Sequence, residues 1–166
     1  MTITVEDGSI VTGANSYVSL DDARTFAAAR GVTLSAVDAT LEPIVIQAMD
    51  YLESFSDKFK GELTLRDQPL SWPRSGAVIE NWTWDSDEIP RQVINALNQL
   101  IVAINAGADP HNPPTVDNLP KIEETVHGAI TVKYANPSTP GKVTKDQDYS
   151  TTIRILLTKS GLFAVR

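Results

Sequence analysis

Over the first 110 residues, apolar side chains recur at steps of three and four in three separate runs, which predicts three amphipathic helices. The first opens at Ser19, whose hydroxyl suits an N-cap. Asp21 and Asp22 fall in its first turn, where the helix dipole favours acids, and Gly31 closes it. The second runs from Thr40 to Phe59. Thr40 is its expected cap and Pro43 is tolerated in the first turn. Leu41, Val45, Ala48, Met49, Leu52, Phe55 and Phe59 share one face, opposite Glu42, Asp50, Glu53 and Asp57. The third begins at Ile89-Pro90, with Asp85, Asp87 and Glu88 expected as caps, and stops at Gly107. Ahead of all three, Thr2 to Glu6 alternate as a short strand ended by Asp7-Gly8.

The third helix is unusual. Val93, Leu97, Leu100, Ile101 and Ile104 form its core face, but its other face carries amides, and no charge occurs from residue 92 to residue 108. A solvated helix face ordinarily carries Lys and Glu. Charge depletion marks interface cores, so Gln92, Asn95, Asn98 and Gln99 are expected to face another subunit.

Beyond residue 107 the pattern changes. Residues 108–120 (ADPHNPPTVDNLP) hold four prolines and predict a stiff linker without regular structure. Residues 121–135 read as a β-hairpin, Ile122–Val126 and Ala129–Tyr134 about His127-Gly128. Residues 136–166 form a C-terminal arm containing a short helix, Tyr149 to Lys159, with Ile153, Leu156 and Leu157 on one face. The expected fold is therefore mainly α: a small helical bundle of about three main helices plus a short C-terminal helix, with a β-hairpin and extended terminal arms. The helical body spans residues 1–107 and includes a tryptophan-rich connection at 61–88.

Charge sharpens the picture of the arm. The net charge is −7, yet residues 1–120 hold 17 acids and 7 bases while residues 121–166 hold 4 acids and 7 bases. A basic arm complements an acidic body, a neighbour's included. Its apolar residues, Leu162 and Phe163 among them, are too many to leave in water. The arm is thus expected to order only on a partner. At 166 residues the chain has the length of one domain. No apolar run has membrane length and no secretory signal pattern opens the chain, so no membrane partner is expected. Cysteine is absent, which excludes disulfides, thiolate catalysis and cysteine metal sites.

Candidate chemistry is sparse. His111 and His127 lack a second His or spaced carboxylates, so no metal site is expected. Asp85, Asp87 and Glu88 begin like a calcium loop, but Ile89-Pro90 break it. Residues 137–145 (PSTPGKVTK) lack the leading glycine of a phosphate loop, and Val143 stands where a hydroxyl is required. No nucleophile elbow is present, and nothing pairs carboxylates across a cleft. The chain is expected not to be an enzyme and to need no cofactor. Trp72 beside Arg74, or Trp82 with Trp84, would suit stacking platforms for single-stranded nucleic acid. Against that stands the local balance of Arg66, Arg74 and Arg91 with six acids. On that balance the three tryptophans are expected to pin the connection over the core.

The ordered segments "GANSYVSLDDARTFAAARG", "QAMDYLESF", "LSWPRSG", "DSDEIPRQVINAL" and "ITVKYA" resemble a family of tailed-phage head–tail connector (adaptor) proteins, often described as DnaT-like single-stranded-DNA-binding proteins. The resemblance runs from Val5 to about Ala135, and its most specific elements are Asn15-Ser16-Tyr17, Trp72-Pro73-Arg74 and Ile89-Pro90. It implies a structural virion protein at the head–tail junction, made in the bacterial host cytoplasm. Such a protein forms a ring, typically twelve-fold, that bridges portal to tail, with DNA only as passing cargo. In that role Ile153, Leu156, Leu157, Leu162 and Phe163 would dock on the portal or a ring neighbour, and Trp72, Pro73 and Arg74 would be structural anchors fixing the crossing between the second and third helices. The alternative is a single-stranded-DNA-binding accessory protein of phage replication.

Overall fold

The computed structural model describes residues 2–111, 115–117, 142–144 and 148–157. The protein is mainly α. The element order is α1 (Leu20–Ala28), α2 (Asp38–Glu53), a single 3-10 turn (Ser56–Lys58), β1 (Glu62–Leu63), β2 (Arg74–Ser75), β3 (Val78–Ile79), β4 (Trp82–Thr83), α3 (Arg91–Asn105), β5 (Thr115–Asp117), β6 (Lys142–Thr144) and α4 (Asp148–Leu156). The strands form three separate antiparallel pairs, β1 with β2, β3 with β4 and β5 with β6.

α1 starts and stops as its sequence predicts. Asp22 N donates to Ser19 Oγ at 3.1 Å, and the Ser19 hydroxyl donates back to Asp22 Oδ2 at 2.6 Å. At the other end, Val32 N reaches Ala27 O at 3.0 Å and Gly31 takes φ 72°, the left-handed exit that glycine permits at little cost. The buried face of α1 is only Ala23 and Ala27, small residues that allow close approach. The Thr2–Glu6 strand is reduced to one parallel bridge, Val5 with Ser16.

α2 departs from expectation at both ends. It begins at Asp38, and Val37 precedes it without a side-chain cap, so Thr40 lies inside the first turn rather than at the cap. Pro43 is consequently internal. The proline is exposed, which leaves water free to serve the carbonyl its missing N–H would have met. The helix ends at Glu53, not Phe59, because the chain tightens into the 3-10 turn. That turn aims Phe59 inward, at 2 % exposure, against Trp72 with ring centroids 5.9 Å apart.

α3 is capped differently too. Pro90 is the N-cap residue itself and no side chain bonds to the helix start, so Asp85, Asp87 and Glu88 do not cap it. Leu41, Val45 and Leu52 of α2 and Val93, Leu97, Leu100 and Ile101 of α3 are all fully buried. Full burial of each such side chain is worth about 1.5–3 kcal/mol.

The largest correction concerns the C-terminal arm. Two compact units make up the chain, Met1–His111 with Asp148–Arg166, and Asn112–Gln147. α4 therefore belongs to the helical body and packs chiefly on α3. Ile153 is 3 % exposed and Leu156 fully buried. Leu157 bridges Phe59, Lys60 N donates to Leu156 O at 3.0 Å, and Lys60 Nζ donates to Ile155 O at 2.8 Å. The apolar face of α4 is buried on the subunit's own core rather than left for a partner. In the second unit, Thr115–Asp117 pairs with Lys142–Thr144, so the proline-rich stretch 108–120 does contain a strand. Its three residues lie between prolines, and two of them are β-branched. The predicted hairpin at 121–135 lies outside the described residues.

Candidate nucleic-acid interface

The tryptophan-bearing connection builds two distinct features, one internal and one exposed. The internal one centres on Trp72-Pro73-Arg74. The Trp72 ring is 1 % exposed, and its backbone N–H donates to the Tyr17 hydroxyl at 3.0 Å. That hydroxyl in turn donates to Glu53 Oε1 at 2.6 Å. The other oxygen, Glu53 Oε2, accepts from Ser71 N at 3.0 Å and from the Ser71 hydroxyl. One carboxylate at the end of α2 thus ties the segment before α1 to the connection. Burial, reinforced by the Glu53 charge, pushes the Tyr17 hydroxyl pKa well above its ordinary value.

Arg74 points inward as well. Its Nε donates to Lys60 O at 3.0 Å and its Nη2 to Gly61 O at 2.8 Å, while Nη1 reaches Ser71 O at 3.4 Å. Burial lowers its pKa, opposed by the nearby Tyr17, Glu53 and Glu62. Gly61 allows the approach, since a Cβ there would lie 2.6 Å from Ser75 O. A guanidinium spent on main-chain carbonyls stitches the connection together and has little left for a phosphate. A polar hollow of about 570 Å³ opens beside this network, lined by Glu53, Asp57, Ser71 and Arg74 among others. Within it Ser71 is tied to Glu53, and Gln68 Nε2 donates to Leu70 O at 2.7 Å.

The exposed feature is the tip of the β3–β4 hairpin. Glu80 and Asn81 both take positive φ, 53° and 68°, the geometry of a two-residue type I′ turn. Asn tolerates this readily; Glu does so rarely. The turn buries Ile79 fully and leaves Trp82 75 % exposed. Trp82 is therefore not a pin, although Trp84 is half-buried and packs against the core. Beside the tip lies the start of α3. Gln92 Nε2 donates to Glu80 Oε2 at 2.7 Å, and Arg91 Nη2 stands 4.0 Å from the same oxygen. The Arg91 side chain is 78 % exposed. The hairpin that exposes the Trp82 indole is thus joined through Glu80 to an exposed arginine at a helix N-terminus without a side-chain cap.

The amide face of α3 is divided. Gln92 and Asn98 are 7 % and 3 % exposed in the single chain, so they are covered internally and do not form the expected contact with another subunit. Asn95 is exposed, and Gln99 is half-buried, with its Oε1 accepting from Thr152 of α4 at 2.7 Å. The C-terminal helix explains part of the missing charge: it lies on that side of α3. Ile153, Leu156 and Leu157 sit in the subunit's own packing, unavailable to a portal, and Leu162 and Phe163 lie outside the described residues. Sequence reading missed Tyr17, Glu53 and Ser71 as a network, and Glu80 as a turn residue. Only the alternation of Val78-Ile79 with Trp82-Thr83 about two residues signalled that hairpin. Among the described residues, no group of three His, Cys, Asp or Glu is placed to hold a metal, and no helix is long and apolar enough to cross a membrane.

Residues 1–166 match the model of one family, DnaT_2, "Putative DnaT-like ssDNA binding protein". No curated protein and no solved structure matches. The match overturns the virion expectation: its description concerns DNA binding, and nothing supports a bacteriophage connector, portal binding, a ring or a packaging channel. Over its whole length the chain belongs to the DnaT-like single-stranded-DNA-binding family.

Proposed function

We propose that this protein binds single-stranded DNA at the β3–β4 tip, with Trp82 as the stacking platform and Arg91 as the phosphate contact. The observation that carries the reading is the 75 % exposure of Trp82 in a chain whose other two tryptophans are buried or half-buried. An exposed indole offers a flat apolar face, part of the ~150–250 Å² such a side chain buries, to a ligand that can stack on it. Single-stranded DNA supplies one, since base stacking on an aromatic contributes about 1–3 kcal/mol per base. The chain acts as a binding protein, not a catalyst.

The acidity of the chain shapes how it binds. With a net charge of −7, long-range steering opposes approach of a polyanion. Affinity therefore comes from stacking at short range, and the salt dependence is shallow. One phosphate contact gives a slope of log K against log salt of roughly −0.7 for a single strand. The test is fluorescence anisotropy with a labelled deoxyoligonucleotide across a salt series. Wild-type protein should bind with a shallow slope, and Trp82→Ala should lose at least tenfold in affinity while keeping its circular dichroism. A duplex of the same sequence should bind far less, because its bases are already stacked. Absence of binding to any single strand, or full binding by Trp82→Ala, would overturn the assignment.

A further inference from the structure

The tip carries one group that stacking does not use. Glu80 occupies the turn two residues before Trp82, in a left-handed conformation that Glu rarely adopts. Its Oε2 is held from the side of α3, at 2.7 Å from Gln92 Nε2 and 4.0 Å from Arg91 Nη2. Gln92 is itself 93 % buried, being 7 % exposed, so it holds the carboxylate from a fixed position. Oε1 of Glu80 has no partner among the described residues, and the side chain is 52 % exposed. A positioned carboxylate with a free oxygen therefore lies two residues along the hairpin from an exposed indole. For a protein that only held phosphates, this placement is unfavourable: a carboxylate beside the single cation of the tip repels them.

We infer that Glu80, oriented by Gln92, reads the Watson–Crick edge of a base stacked on Trp82, and that the base it selects is guanine. This inference rests on the single-strand reading above and adds its base preference. The chemistry is that of donor counting. A carboxylate only accepts hydrogen bonds. Guanine presents two adjacent donors, N1–H and the N2 amine, which match two carboxylate oxygens side by side. Adenine and cytosine each offer one amine beside an unprotonated ring nitrogen whose lone pair faces the carboxylate. Thymine has one donor flanked by two carbonyls and fits worst. Unstacked bases of single strands are open to such readout on this edge. Glu80 is then the specificity residue, Gln92 the residue that positions it, and Arg91 the contact to the neighbouring phosphate.

The test compares wild-type binding to a thymine 12-mer with binding to the same strand carrying one central guanine, and to a third strand with inosine there. Inosine lacks the N2 amine but keeps N1–H, and its arm needs no protein variant. Guanine should raise affinity over thymine by about tenfold, in the range expected of a bidentate pair, and inosine should lose most of that gain. In Glu80→Gln the ratio of guanine-strand to thymine-strand affinity should fall toward one, with thymine binding itself strengthened because the carboxylate no longer offsets Arg91. Gln92→Ala should reduce the preference without abolishing binding. Trp82-dependent binding with equal affinity for guanine and thymine strands would overturn this inference and leave the single-strand reading standing. Failure to bind any of the three strands would overturn both.

Discussion

Replacing Tyr17 by phenylalanine isolates the internal network, because the ring and its burial are kept and only the hydroxyl is lost. That hydroxyl donates to Glu53 Oε1 at 2.6 Å and accepts from Trp72 N at 3.0 Å. A hydrogen bond to a charged group is worth about 1.5–3 kcal/mol, and an orphaned buried N–H costs about 1–3 kcal/mol. The two effects overlap on one oxygen, so the expected loss is ~2–4 kcal/mol. With a urea m-value near 2 kcal/mol/M, the midpoint should fall by about 1–2 M at unchanged slope. The pH dependence gives a second, independent reading. In the folded protein the Tyr17 pKa is raised above the 10.0 of an exposed tyrosine, first by burial and then by Glu53. Its contribution is therefore fully present below pH 10 and is lost as pH rises from 10 toward the folded value. Tyr51, also raised by burial, titrates in both proteins and cancels from their difference. The stability gap between wild type and Tyr17→Phe should accordingly narrow above about pH 10. A midpoint shift below ~0.3 M, or a gap constant through that range, would refute the network as a source of stability.

Leu156→Ala should destabilise the protein by about 2–5 kcal/mol, as expected for a fully buried leucine, and equilibrium urea unfolding measures it. A loss under ~0.5 kcal/mol would mean that α4 does not belong to the cooperative core. Arg74→Lys should cost ~1–3 kcal/mol despite conserving charge, because an ammonium cannot reach Lys60 O and Gly61 O together as the guanidinium fork does. Wild-type thermal stability in that variant would show the fork to be dispensable.

The legible parts of this fold are those whose signals are local. Ser19, Asp22 and Gly31 specify both ends of α1 through interactions within a few residues, and the apolar faces of α2 and α3 follow from periodicity alone. What failed needed long-range knowledge. Ile153, Leu156 and Leu157 read as an apolar face in need of cover, and nothing local says that α3 of the same chain supplies it. The same ignorance assigned Gln92 and Asn98 to another subunit. The connection's own bonds were also out of reach: Tyr17, which accepts from Trp72 N, lies 55 residues away, and Glu53, which accepts from Ser71 N, lies 18 residues away. The exposed tip was the least legible. Three tryptophans in one connection look alike, and nothing local says that Trp72 is buried, Trp84 half-buried and Trp82 exposed.

The central claim is that single-stranded DNA meets this protein at Trp82. Its most direct test follows the three indole N–H resonances by two-dimensional NMR while an unlabelled deoxyoligonucleotide is added, with Trp82→Ala used to assign the peak. The Trp82 indole, 75 % exposed, should shift progressively and saturate, while that of Trp72, 1 % exposed, should stay in place. Three unmoved indole peaks at saturating oligonucleotide, or a shift confined to Trp72 or Trp84, would contradict the account.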